Sequence, residues 1–411
     1  LDANELSELF GGWEGYRLGT VRRASEEQRR GEKPEIWIEL HPDLQHPRRC
    51  GGCGQVVATI HETTQRWVRD LPILDADTWL LVHRVRVNCP DCGPRVEHLD
   101  WLDRWARFTR RFADSVVRLA AVLPLKQVAD FYDLHWVTVK RLHKERLQRT
   151  LEPVDLSGIE VIAMDEFAIQ KGQRYATVVV EPYRKKVLWV GRGRGRADIR
   201  PFYEQLGPEG RARLKAVVMD MNGAYEEEMR AQCHQAEAVF DLFHVVAKYG
   251  HEVIDRVRVD EANRLKHDKA ARKVVKGSRW LLLRNPDNIK RDEDRVRLDE
   301  LLAANRKLAK VYILKEDLKT LWDYRHVGYA WRFWLEWYAR AIRSRIEPLK
   351  TFARRLKAKI DGVLSHCRRP LHTSLLEGIN NKIKVIKRMA YGYRDDEYFF
   401  LRIRAAFPGN V

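Results

Sequence analysis

The chain has 411 residues, enough for two or three domains at roughly 100–200 residues each. Hydrophobic residues make up 45% and charged residues 33%, which excludes a disordered polymer and fits a globular protein. Lysine and arginine number 76 against 58 acidic residues, and the resulting formal charge of +18 points to a polyanionic partner.

No stretch approaches eighteen consecutive apolar residues and no signal-peptide pattern opens the sequence. The expectation is a cytoplasmic, nucleoid-associated protein with no membrane partner. Residues 1–44 read as an N-terminal extension. Cys50-Gly51-Gly52-Cys53 and Cys89-Pro90-Asp91-Cys92 then form two CxxC knuckles, each followed by a turn-forming glycine, Gly54 or Gly93. Four thiolates suit tetrahedral Zn²⁺, so Cys50, Cys53, Cys89 and Cys92 are read as ligands of one structural zinc ion. Short β-rich runs at 56–60, 79–83 and 84–87 complete a module over 45–108 that resembles a zinc ribbon. Four sulfurs fill the shell, which leaves His46, His61 and His98 as surface or DNA-contacting residues.

A helical pattern over 109–121 is followed, after Pro124, by a helix-turn-helix pattern within 109–151. Leu125, Val128, Ala129 and Phe131 fit the inner side of its first helix, and Leu134, Val137, Val139 and Leu142 that of its second. Trp136, Thr138, Lys140, Arg141 and Lys144 remain outside as candidate DNA contacts, as a helix entering a major groove requires.

From residue 152 the pattern changes to strands at 159–164, 175–180 and 186–190, a helix at 197–206, a strand at 214–219, a helix at 225–232 and a strand at 236–240. That order is the order of an RNase H-like fold. The first apolar run ends at Asp165 and the run at 214–219 ends at Asp220, which puts two carboxylates at one sheet edge if the strands are parallel neighbours. Oxygen ligands in an incomplete shell suit Mg²⁺ or Mn²⁺. Two such ions can serve an in-line displacement at phosphorus. Asp241 equally fits a helix cap.

Residues 252–370 read as a helical insertion with a basic stretch and an aromatic one containing Trp322, Trp331, Trp334 and Trp337. In the final segment, 371–411, Glu377, Asn380, Asn381 and Lys384 fall on one helix face and Leu376, Ile379, Ile383 and Ile386 on the other. This would bring Glu377 to the metal edge and Lys384, Lys387 and Arg388 to DNA phosphate. The alternating Arg192, Arg194 and Arg196 form a basic loop and a further candidate DNA contact. Neither GxxxxGK[ST] nor GxGxxG occurs, so no ATP requirement is expected.

With these motifs the chain resembles the bacterial insertion-sequence transposases of the ISL3 family over nearly its whole length. The two knuckles match the family's zinc module and residues 124–147 its helix-turn-helix. MDEFAIQKGQRYATVVV carries Asp165, VVMDMNGAY carries Asp220 and SLLEGINNKIKVIKRMAYGYR carries Glu377. The resemblance implies a DDE-type enzyme in which Asp165, Asp220 and Glu377 bind the catalytic metal. Asp241 and His244, with Asn380, would support the site. It implies binding to terminal inverted repeats, hydrolysis at the transposon end and transfer of the 3′-hydroxyl to target double-stranded DNA, by a homodimer holding paired ends. The aromatic stretch of the insertion offers either contacts between copies or that domain's own core. The rival reading from the residues alone is a zinc-containing DNA-binding regulator with an inactive RNase H-like domain.

Overall fold

A computed structural model describes residues 12–170, 172, 174–369 and 374–409. The chain divides into two compact units, Leu1–Thr150 and Leu151–Val411. Among the described residues, no helix is long and apolar enough to cross a membrane.

Among its described residues, the first unit combines a six-stranded sheet with three helices. Its strands are β1 (Tyr16–Arg23), β2 (Glu35–Pro42), β3 (Arg49–Cys50), β4 (Ile60–Ile73), β5 (Ala76–Cys89) and β6 (Gly93–His98). Strand β5 is the spine. It pairs with β4 along nearly its whole length, while parallel β2 and antiparallel β6 share its other side. The expected separate strands at 79–83 and 84–87 are one continuous strand. The reason is that β5 buries opposite faces in its two halves. Leu80 and Val82 pack with Trp13, Ile38, Val68 and Trp101, whereas Val85, Val87 and Cys89 pack with Cys50 and Val57. The strand expected at 56–60 is also corrected: Val56 makes only an isolated bridge to Arg49, and β4 begins at Ile60.

Three helices follow: α1 (Arg110–Val122), α2 (Leu125–Tyr132) and α3 (Trp136–Thr150). Thr109 caps α1 by accepting from the Phe112 N–H, and Asp133 turns the chain after α2 in the left-handed region at φ 50°. Phe112, Val116, Val128, Ala129, Tyr132 and Val139 make their core. Two expectations fail here. Phe131 and Val137 lie 62% and 46% exposed, and Tyr132 and His143 are buried instead. Helix α3 starts only at Trp136, so its inward stripe is Val139, His143 and Leu147 at four-residue spacing.

The second unit is built on a sheet of order β11-β10-β7-β8-β9. Strands β7 (Val161–Gln170), β8 (Arg174–Glu181) and β9 (Lys186–Arg192) form an antiparallel meander. Helix α4 (Arg196–Arg213) is broken at Gly207, whose φ of 71° ends the regular turn just before Pro208. Then come β10 (Ala216–Met219), α5 (Gly223–Gln232), β11 (Glu237–Phe240) and α6 (Leu242–Tyr249). Both short strands run parallel to β7. The insertion contains α7 (Asp255–Arg264), α8 (Lys269–Gly277), α9 (Arg279–Leu283), α10 (Asp292–Ala304), α11 (Arg306–Thr320), α12 (Val327–Ile342), α13 (Glu347–Lys357) and α14 (Ile360–Leu364). The chain closes with α15 (Ser374–Met389) and α16 (Asp396–Ala406).

One core joins a sheet face to the insertion. Ile162, Met164, Val217, Met219 and Phe240 belong to the same apolar cluster as Phe202, Tyr225, Trp334, Trp337 and Phe352. Trp334 and Trp337 are stacked with centroids 5.3 Å apart and fully buried. Of the aromatics considered as contacts between copies, these two are therefore internal core, and Trp331 is the exposed one. The opposite sheet face receives α15, which packs on β7, and α16, whose Phe399 meets Phe167 edge to face at 5.9 Å.

Candidate active site and metal centre

The parallel registers explain how three aspartates meet. Ala163 pairs with Val218, and Val218 in turn with Val239. Two residues farther along the chain from each of these stand Asp165, Asp220 and Asp241, which the registers bring to one edge of the sheet. Asp165 does not end its strand as expected. Strand β7 continues to Gln170 because β8 pairs with it from Ala163 onward, beyond the end of shorter β10. The acidic position is thus mid-strand on β7 and past the strand ends on β10 and β11.

Helix α15 covers this face. Leu376, Ile379, Ile383 and Ile386 are buried, Glu377 is exposed, and the Asn380 Nδ2 donates to Asp165 Oδ2 at 2.5 Å. Asp165 Oδ1 accepts from the Glu166 N–H at 2.8 Å. The buried Asn380 Oδ1 has no partner among the described residues. Asp220 Oδ1 accepts from the Asn222 N–H at 2.9 Å. Asp241 caps α6 through the Phe243 N–H at 2.7 Å, and its carboxylate lies 3.7 Å from His244 Nε2.

A cavity of about 320 Å³ is lined by Asp165, Glu166, Asp241, His244, Glu377, Asn380, Lys384 and Lys387. A second, of about 680 Å³, is lined by Glu166, Arg194, Asp220, Asn222, His244 and Lys248. Glu166 and His244 border both. Burial pushes the Asp165 carboxyl up to about 6, with Asp220 and Glu166 adding to the rise and His244 opposing it. Burial, then Glu166, raises Asp220 as well. Crowded carboxylates in a low-dielectric cleft call for cationic charge. An oxygen-rich donor set with an orphaned amide oxygen beside it fits a hard divalent ion. The donor oxygens of Asp165, Asp220 and Glu377 are nonetheless not all within 4.8 Å of one another.

Glu166 is the site residue that sequence reasoning missed. Its carboxylate accepts from Arg194 Nη1 at 2.7 Å and from Asn222 Nδ2 at 3.4 Å, so it ties the basic loop to the turn after Asp220. Its sequence signal was its place directly after Asp165. The other loop arginines are also engaged: Arg192 with Asp396 at 2.5 Å, and Arg196, with Arg200, on buried Glu228. Arg200 first, then Gln232 and Arg196, hold the Glu228 carboxyl down at about 2 despite opposing burial. Arg194 lies over the Tyr175 ring at 3.9 Å.

On α15, Lys384 and Arg388 are exposed, and Lys387 donates to the Ala168 carbonyl at 2.6 Å. On α3, Trp136 and Arg141 are exposed and Thr138, Lys140 and Lys144 half-buried, with Arg141 paired to Glu145 at 3.0 Å.

In the first unit, the donor sulfurs of Cys50, Cys53, Cys89 and Cys92 all lie within 4.8 Å of one another, with Cys53 and Cys89 at 3.6 Å. Tetrahedral zinc with bonds near 2.3 Å sets its sulfurs about 3.8 Å apart, so the four thiols form a zinc-ribbon centre. Gly54 and Gly93, at φ 77° and 67°, make the knuckle turns. Hydrogen bonds from the backbone at Cys53 and Gly52 bring the Cys50 thiol down to about 7, whereas the Cys53 sulfur and burial push Cys92 up to about 12, as expected of crowded sulfurs that share one site until a cation neutralises them.

A family model described as a transposase matches residues 162–403. Two others match: the helix-turn-helix domain of transposase family ISL3 at 97–146, and the zinc-finger of transposase IS204/IS1001/IS1096/IS1165 at 46–92. The transposase for insertion sequence element IS1001 from Bordetella parapertussis is 52% identical over 408 residues, 99% of each chain. The transposase for insertion sequence element IS1557 from Mycobacterium tuberculosis is 27% identical over 403 residues, covering 90% of this chain and 88% of the relative.

Proposed function

The chain belongs to the ISL3 family of transposases, and from that premise we propose that it binds terminal inverted repeats, cuts at the transposon end and joins the 3′-hydroxyl to target DNA. The observation that carries this reading is the row of Asp165, Asp220 and Asp241, closed over by the helix that bears Glu377 and tied to it by Asn380.

Asp165, Asp220 and Glu377 would hold Mg²⁺ or Mn²⁺. Bound there, the metal would supply charge to the attacking and departing oxygens of an in-line displacement. Asn380 fixes the rotamer of Asp165, and its free Oδ1 is available to a water in the cleft. Asp241 holds the start of α6 and faces His244. Lys384, Lys387 and Arg388 offer positive charge to the DNA backbone, with Trp136, Thr138, Lys140, Arg141 and Lys144 on α3 contacting the repeat. Water opens the end first. The released 3′-hydroxyl then displaces a target phosphate oxygen directly, so no covalent protein–DNA link forms.

The test is cleavage and joining of DNA bearing the element's ends, with Mg²⁺ supplied. Asp165→Asn, Asp220→Asn and Glu377→Gln are each expected to abolish both steps and leave end binding intact. Binding by the wild type without cleavage under Mg²⁺ or Mn²⁺ would instead identify a zinc-containing regulator. Cutting without joining of a pre-cleaved end would identify a nuclease.

A further inference from the structure

We propose that Glu39, His41 and His83 form a second metal site, selective for a zinc-like divalent ion, in the sheet of the first unit. Their donor atoms all lie within 4.8 Å of one another. The sheet register produces this convergence. Glu39 and His41 are two residues apart on β2 and so share a face. Leu40 pairs with Val82 in the parallel β2–β5 ladder, which sets His41 beside His83 one step later. Their rings are 4.4 Å apart between centroids.

Both imidazoles turn Nε2 toward the same carboxylate oxygen. His83 Nε2 is 2.8 Å from Glu39 Oε1, and His41 Nε2 is 3.6 Å from it. A hydrogen bond needs only the first of these, and the second is too long to be one. Two imidazoles and a carboxylate are a common three-ligand zinc set, in which tetrahedral geometry separates donor atoms by roughly 3.3 Å. Side-chain shifts of about 1 Å or less would reach it.

The surroundings support the three donors. Thr20 Oγ1 donates to Glu39 Oε2 at 2.9 Å and leaves Oε1 for the shared point, as an outer-shell partner does. Gly19 gives His41 its room: a Cβ there would stand 2.7 Å from the imidazole ring. His83 is 18% exposed, Glu39 26% and His41 50%, so one side opens to solvent and leaves a fourth position for water. The site is separate from the cysteine centre. Cys89 lies six residues farther along β5 than His83, roughly 20 Å at the strand rise. A metal bound here would clamp β2 to the central strand.

The experiment counts zinc per full-length chain after equilibration at micromolar free Zn²⁺. An Asp165→Asn/Asp220→Asn parent removes uptake by the proposed catalytic carboxylates. The parent is expected to hold two equivalents, and the same chain with His41→Ala or His83→Gln to hold one. With the cysteine site already filled, further zinc should raise the melting temperature of the parent and not that of the histidine variants. One equivalent in the parent, or two in both histidine variants, would overturn the site. His41→Ala alters a half-exposed side chain, and its retained cysteine-bound zinc and circular dichroism report a folded module if His83→Gln misfolds.

Discussion

Asp165 illustrates how a residue can be kept at a cost. Burial raises its carboxyl to about 6 from an ordinary 3.8, so between those values the folded chain retains a proton that the unfolded chain releases. Stability therefore falls as pH rises through about 4 to 6, and above that window the ionised carboxylate opposes folding by up to about 3 kcal/mol. Asp165→Asn is expected to melt higher than the wild type at pH 7.5 without divalent metal, by roughly 1–3 kcal/mol, and to lose that advantage near pH 4. Mg²⁺ should stabilise only the wild type. Equal melting at pH 7.5 would show that the carboxylate is not strained by its setting. Asn380→Ala should lower the cutting rate more than it lowers DNA affinity, because the lost bond to Asp165 Oδ2 positions a carboxylate and touches no phosphate. A parallel loss of both would place Asn380 in the DNA path. Asp220 and Asp241 were legible in the sequence because a charge after an apolar strand is conspicuous. The role of Glu166 was not, since its partners Arg194 and Asn222 lie 28 and 56 residues away in the chain.

At the scale of elements, α15 and the cysteine knuckles each support a distinct expectation. Lys384 is exposed beside the cleft, one face away from the buried Ile379 and Ile383. Lys384→Glu should weaken binding to specific and unrelated duplexes alike and flatten the salt dependence by about one phosphate contact. An unchanged slope would remove Lys384 from the interface. Cys89→Ser/Cys92→Ser should lose the cysteine-bound zinc and end recognition together, because ligand binding and folding of this module are linked. Undiminished zinc with normal end binding would refute the cysteine assignment. The strand–helix order from β7 to β11 could be read ahead of the structure because each apolar run is bounded by a charge or turn. Strands β1 and β2 could not. Strand β1 has one buried residue, Tyr16, and mostly exposed ones after it, so no alternation announces it. Its anchoring partner Trp101 lies far along the chain. The opposite faces buried in the two halves of β5 hid its continuity for a related reason: a single alternating pattern exists only where one face is covered throughout.

For the whole molecule, coordinated joining of two ends predicts at least a dimer, since each chain supplies one candidate acidic centre and closed twofold assemblies are the commonest. Mass measurement of a competent complex with cleaved ends would contradict this if it found one chain. In mixed particles, a Glu377→Gln chain beside a wild-type chain should leave one end unprocessed. Full two-ended joining by such particles would show one chain serving both ends. The continuous core from the sheet through the insertion has a further consequence for synthesis on the ribosome. A growing chain emerges from its N-terminus, and domains generally fold as they appear. The cysteine module, the helix-turn-helix and the three aspartates are all complete by residue 241, whereas Glu377 and Asn380 are added near the end of 411 residues. Under the proposed function, an unfinished polypeptide would therefore be able to grip DNA well before it had the parts to break it, with the cleft assembled only after the insertion had been made.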